Sequence, residues 1–286
     1  FFLGKIKPNA SEKISIPLIN YGIPLSVMGL LLKAGISSDL VKTAVIAFLA
    51  ISIFILLINF LPFLKRIYPN YSLQLGGLIG NTSFLGIPIA IALLPNDTIN
   101  FTIGFDLGTT LFSWIFGPYF LQKDKKNYPI NNIKNLIFSI LASPASKGII
   151  GVLITYLFGI EKLLGGILWI PAKLVIYLAI IVVGSRLGII INNKSKLLEL
   201  NYFVSYSIIL KLFIFPSFIF LVCKTIDFSK IEILAVVLQA GTPSAISTIL
   251  LAEAYKKNQE TAAEILFITT ILSLITIPFI TVLINI

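Results

Sequence analysis

Two short stretches hold the residues best suited to chemistry. The first reads Leu75-Gly76-Gly77-Leu78-Ile79-Gly80-Asn81-Thr82-Ser83-Phe84-Leu85-Gly86-Ile87-Pro88, and the second Gln239-Ala240-Gly241-Thr242-Pro243-Ser244. Each sets amide and hydroxyl side chains beside glycine and proline within an otherwise apolar run. Proline removes a backbone donor and clashes with the preceding turn, so peptide groups near Pro88 and Pro243 are expected to lose their helical partners. In hydrocarbon such groups must face protein, water or a ligand. Asn81, Thr82, Ser83, Pro88, Gln239, Gly241, Thr242, Pro243 and Ser244 are therefore the expected lining of a polar site in mid-membrane. The competing explanation for either stretch alone is a kink that neighbouring helices repair. The matched pair favours a site.

Six ionisable residues lie within or near apolar runs, where a charge is costly and usually faces a cavity or a partner. Lys211 lies well inside its run and precedes Pro216; it either attracts an anion or snorkels to headgroups. Asp106, in Gly104-Phe105-Asp106-Leu107-Gly108, either carries a coupling proton or cation or neutralises a lysine such as Lys147 or Lys173. Those two lysines flank Gly- and Pro-rich runs and read as interfacial. Arg186 suits a carboxylate or a lipid phosphate, and Glu253 suits an ion pair at the membrane surface. Histidine is absent and Cys223 is the only cysteine. His/Cys metal sites, haem ligation, Cys/His catalysis and disulfides are thereby excluded, and no metal or cofactor is expected. An aspartyl-protease reading of Gly104-Phe105-Asp106 lacks the second mid-membrane acid that a shared proton requires. The chain is not expected to be an enzyme.

The elements that position these residues follow from composition. The 286 residues are 57% hydrophobic and 12% charged, with a mean hydropathy of +0.99, more apolar surface than one soluble core can hide. Runs of the length a bilayer needs, roughly 20 apolar residues, follow one another. They lack the alternation of barrel strands. Helices are predicted at about Ile14–Lys33, Leu40–Leu64, Leu73–Pro95, Ile99–Gln122, Asn135–Gly159, Ile167–Ile191, Tyr202–Cys223, Ile231–Tyr255 and Ala262–Ile286. If loops alternate sides, Lys65/Arg66, Lys123, Lys125, Lys126, Lys134, Lys194, Lys196, Lys256 and Lys257 share one face with the N-terminal lysines. The other face keeps only Lys33, Lys42, Lys162, Lys224 and Lys230. By the positive-inside rule the richer face is cytoplasmic. The net charge of +10 then reflects topology and calls for no nucleic-acid partner.

The charged connection around residues 123–134 divides the chain into 1–122 and 135–286. At a fixed offset Gly29 falls on Gly184, Leu32 on Leu187 and Pro88 on Pro243 (243 − 88 = 155). The span from Asn135 has its counterpart before residue 1, so a first helix is expected to be missing here and the whole to be five plus five. An odd number of helices per repeat gives inverted topology, with binding at the interrupted spans.

The run Gly80 to Pro88 resembles the fourth-helix signature of the auxin efflux carrier family. Gly241-Thr242-Pro243-Ser244-Ala245, followed by Leu251-Ala252-Glu253-Ala254-Tyr255, is similar to its ninth, and Lys211 to Pro216 to its eighth. The likeness covers essentially the whole chain except the first helix. It implies an all-α, ten-helix, two-repeat membrane protein whose broken fourth and ninth helices cross at a central site. It also implies a secondary transporter of small organic anions in the plasma membrane, the bacterial inner membrane in its bacterial members. The short linker matches the prokaryotic type, akin to malate and malonate permeases, so a carboxylate such as malate or malonate is expected, with an auxin-like acid as the further option. A channel or a ligand sensor on the same fold is the alternative. Coupling to a proton or sodium ion is open, as is the oligomeric state, a homodimer among the options.

Overall fold

The computed structural model describes residues 17–122, 141, 144–192 and 201–285. The expected linker at 123–134, the start of the fifth predicted span and the N-terminal lysines lie outside the described residues. Helices are α1 (Ile23–Ala34), α2 (Ser38–Phe60), α3 (Pro62–Ile67), α4 (Tyr71–Leu78), α5 (Ile87–Leu93), α6 (Ile99–Gln122), α7 (Pro144–Leu157), α8 (Glu161–Asn192), α9 (Tyr202–Ile209), α10 (Phe215–Thr225), α11 (Lys230–Ala240), α12 (Ile246–Ala254) and α13 (Gln259–Asn285). The described residues form no β-strand.

Local chemistry sets several boundaries. Ser229 caps α11 in a reciprocal box with Glu232, and the side chains of Asn70 and Asn201 accept from the first turns of α4 and α9; each satisfies amides that a helix start leaves free. Gly35, at φ 78°, ends α1 in a conformation that a β-carbon disfavours. Wide π-helical turns at Leu18–Gly22, Thr82–Gly86 and Leu210–Ile214 share a cause. In each, the residue just before a proline (Pro24, Pro88 or Pro216) donates its amide five residues back, to Leu18, Thr82 or Leu210. A proline has no N–H for the usual bond four residues back, and the widened turn accommodates the ring without ending the helix.

The chain forms two compact units, each drawing on both sides of the 123–134 segment. The first comprises Phe1–Ser38 and Ile130–Lys196, and within it α1 packs on α7 and α8 through glycines. A β-carbon at Gly29 would sit 2.7 Å from the Leu168 carbonyl oxygen and from Ala172 Cβ, and one at Gly148 would sit 2.8 Å from the Pro24 oxygen. Small residues allow this backbone approach where lipid offers no hydrophobic drive for helices to associate. Lys173 Nζ stands 4.4 Å from the centroid of the Trp169 ring, and Lys147 is exposed.

The second unit comprises Asp39–Pro129 and Leu197–Ile286. It contains the three described segments both long and apolar enough to cross a membrane, Ser38–Phe60, Tyr202–Thr225 and Gln259–Ile284. By contrast, α4 is 8 residues and α11 is 11. At about 1.5 Å per residue neither crosses a core of about 30 Å alone. Every residue from Ile233 to Ala240 and from Ser72 to Leu78 is buried, as expected of helices enclosed on all sides. Phe48, Phe112, Phe116 and Phe120 pack in a chain of ring contacts between α2 and α6, extended to Tyr71 of α4.

Gly104 and Gly108 bring α6 against α2. A β-carbon at Gly104 would collide with the Leu40 oxygen and Thr43 Oγ1, and one at Gly108 with the Ala44 oxygen. Asp106, two residues from each, is about 200° around the helix and is directed the other way. Replacing Gly108 by Val is expected to destabilise the protein by about 1–3 kcal/mol through overpacking. Thermal unfolding in detergent checks this, with lipid-exposed Leu57→Val as the unaffected comparison.

Candidate functional site

The third and eighth predicted spans are both interrupted, and the interruptions meet. The first runs from Ile79 to Asn81, between α4 and the wide turn Thr82–Gly86; the second runs from Gly241 to Ala245, between α11 and α12. Gly80 and Ser244 form an isolated antiparallel bridge. The Asn81 amide donates to the Pro243 oxygen at 2.7 Å, and the Ala245 amide to the Ile79 oxygen at 3.0 Å. Peptide groups that two broken helices would strand in hydrocarbon thus satisfy one another. Two side chains add to this. The Ser244 amide donates to Thr269 Oγ1 of α13 at 3.0 Å, and the Thr242 hydroxyl donates back to the Gln239 oxygen at 2.7 Å.

Proline plays two different roles here. Pro243 sits in the break and supplies an acceptor to it. Pro88 does not mark the first break, which falls at Ile79–Asn81; it stands in the first turn of α5, beyond the wide turn it induces. Gly80 and Gly86 permit the approach instead. A β-carbon at Gly80 would collide with Thr242 Oγ1, and one at Gly86 with Gln239 Oε1. Gly241 is directed toward Ile280 of α13.

Opposite charges sit at two of the half-helix ends. Lys211, on the wide turn Leu210–Ile214, is fully buried, and its ammonium donates to the Ala240 oxygen at 2.6 Å. Ala240 is the last residue of α11, where the helix dipole is negative. Asp106 is buried, and its Oδ1 accepts from the hydroxyls of Thr82 and Ser83, each at 2.6 Å. Those hydroxyls belong to the first turn after the other break, where the dipole is positive.

Around this junction the side chains of Asn81 and Gln239 are buried. Asn81 Nδ2, Gln239 Nε2 and Gln239 Oε1 have no hydrogen-bond partner among the described residues. An unpaired buried polar group costs about 1–3 kcal/mol, so three together indicate a place built for something polar. The structure therefore gathers Asn81, Thr82, Ser83, Gln239, Thr242, Pro243, Ser244, Lys211 and Asp106 into one neighbourhood. Sequence reasoning missed Gly80, Gly86 and Thr269 as parts of it. The glycine spacing was a usable signal, but Thr269 comes from a regular helix with nothing local to mark it. The side chains of Arg186 and Glu253 lie outside the described residues.

Helices throughout the described residues, with apolar segments of bilayer length, define a multi-pass membrane protein. The membrane transport protein family matches residues 148–281. An uncharacterized transporter of Methanocaldococcus jannaschii is 26% identical over 262 residues, covering 85% of this chain and 81% of the relative. Both likenesses support a membrane transporter similar to the auxin efflux carrier family.

The hydroxyl pair on Asp106 is open to a direct test. Thr82→Val with Ser83→Ala removes both donors and is expected to lower stability by about 1–3 kcal/mol per bond. Adding Asp106→Asn should return part of that loss, and thermal unfolding across the four corners of this cycle reads the coupling. Additive effects would show that the bonds carry no weight.

Proposed function

We propose that this protein is a secondary transporter that moves a small organic anion, a carboxylate of the malate or malonate kind, by exposing the junction alternately to each side of the plasma membrane. The observation that carries the reading is the set of unpartnered amides on Asn81 and Gln239 beside the buried Lys211 ammonium. A carboxylate needs donors and favours positive potential. Asn81 Nδ2 and Gln239 Nε2 supply the first, and Lys211 the second. Thr242, Ser244 and the Pro243 turn hold Gln239 and the second break in place, while Thr82, Ser83 and Pro88 hold the first. Discontinuous helices meeting near the bilayer midplane are the usual setting for such a site.

On this reading the two interrupted spans belong to inverted repeats, 1–122 and 135–286, joined by a cytoplasmic linker at 123–134. Asp106 is the acidic group through which a coupling proton would act, by way of its hydrogen bonds to the first half-helix. The substrate enters as an anion and needs no covalent chemistry.

The test is uptake of labelled mono- and dicarboxylates into proteoliposomes containing the full-length protein. Saturable uptake is expected for at least one small carboxylate. Asn81→Ala and Gln239→Ala are each expected to lower kcat/KM about tenfold, the equivalent of about 1.4 kcal/mol, with thermal stability retained. Unsaturable flux equal in all three proteins would point to a channel, and no flux of any anion would remove carboxylates from consideration.

A further inference from the structure

The carbonyl end of a half-helix inside a membrane is a place where transporters commonly hold a coupling cation. In this protein that end is α11, and several of its last carbonyls already have donors. The Val237 oxygen accepts from the Gly241 amide at 2.8 Å, and the Gln239 oxygen from both the amide and the hydroxyl of Thr242. The Pro243 oxygen accepts from Asn81. The Ala240 oxygen, on the last residue of the helix, accepts from Lys211 Nζ at 2.6 Å.

The surroundings of Nζ are those of a cation site. The side chain is fully buried and forms no salt bridge with a described carboxylate. Its ammonium stands 5.3 Å from the centroid of the Phe215 ring, whose face attracts positive charge. A β-carbon at Gly80 would lie 3.1 Å from Nζ, so the ammonium reaches both breaks at once. The wide turn before Pro216 carries the lysine to this position.

We propose that the Lys211 ammonium is the resident cation of the junction, standing where an alkali-metal ion would otherwise bind, so that this protein neither binds nor requires sodium there. The transport consequence rests on the carrier reading above; the binding consequence does not. A fixed charge covalently tied to α9–α10 balances the dipole of α11 permanently, whereas a free ion would do so only when bound. Sodium would then be unable to couple to anion movement through this site, leaving a proton or the anion gradient itself as the driving force.

The binding consequence is read by thermal unfolding of the purified full-length protein in sodium, lithium, potassium or N-methylglucamine chloride at equal ionic strength. The wild type and Lys211→Arg are expected to unfold at the same temperature in all four. Lys211→Gln, which keeps a polar side chain and removes the charge, is expected to gain a saturable sodium- or lithium-dependent rise, since an ion that binds only the folded state stabilises it. A saturable sodium effect on the wild type would overturn the proposal, as would a folded Lys211→Gln that responds to no cation. If that variant does not purify, the wild-type result decides. In proteoliposomes, wild-type uptake should be indifferent to an inward sodium gradient, whereas coupling would raise it at least about fivefold. Absence of saturable anion uptake in every cation would count against the carrier reading alone, because the unfolding measurement needs no substrate.

Discussion

The rest of the second unit depends on a single rung of backbone pairing between two broken helices. A break in a membrane helix exposes amides and carbonyls to a solvent that cannot hydrogen-bond them, and each unpaired group costs several kcal/mol. Here Ile79 and Asn81 on one side, and Pro243 and Ala245 on the other, exchange two bonds across Gly80 and Ser244. Neither break is tolerable without the other. That mutual need explains why α4 and α11 are enclosed on all sides, and why glycine stands at 80 and 86, where any side chain would meet Thr242 or Gln239.

Pairing the breaks leaves the half-helix dipoles unbalanced, and the buried charges answer them. Lys211 meets the carbonyl end of α11, and Asp106, through Thr82 and Ser83, meets the amide end of the opposite half. Each charge is delivered by a device elsewhere in its own span. Gly104 and Gly108 press one face of α6 on α2 so that Asp106 points the other way, and Pro216 widens the turn that carries Lys211. At the junction the side-chain amides of Asn81 and Gln239 keep buried atoms without a partner among the described residues, and that unmet hydrogen bonding is what a ligand would answer.

The sequence displays some of this plainly and hides the rest. Long apolar runs mark α6 at its observed bounds and locate α2 and α13 with ends displaced by a few residues, Phe60 for the expected Leu64 and Gln259 for Ala262, because burial in lipid imposes length and composition together. Gly241-Thr242-Pro243 marks the second break correctly, since glycine and proline fall within it. The first break was legible as a region but not as a position. Pro88 drew attention, whereas the chain departs from helix at Ile79–Asn81, because a proline in a membrane helix can be absorbed by a widened turn. The division into compact units was not legible at all. Each takes segments from both sides of residues 123–134, and only contacts between residues far apart in sequence reveal that partition.

A last step concerns symmetry. At the offset that places Pro88 on Pro243 (243 − 88 = 155), Lys211 falls on Leu56 and Asp106 on Thr261. Leu56 is an exposed residue of α2, so no second ammonium stands at the corresponding place. If the backbone repeats, the charges do not. A symmetric junction would present the same field to a substrate arriving from either side. Lys211 and Asp106 make the two half-helix pairs chemically unlike while leaving their backbone pairing alike. On the proposed carrier reading, an anion held by Asn81 and Gln239 would experience a polarity that the proposed repeat alone could not create. Two residues, each placed by its own glycine or proline device, are enough to distinguish one face of the junction from the other.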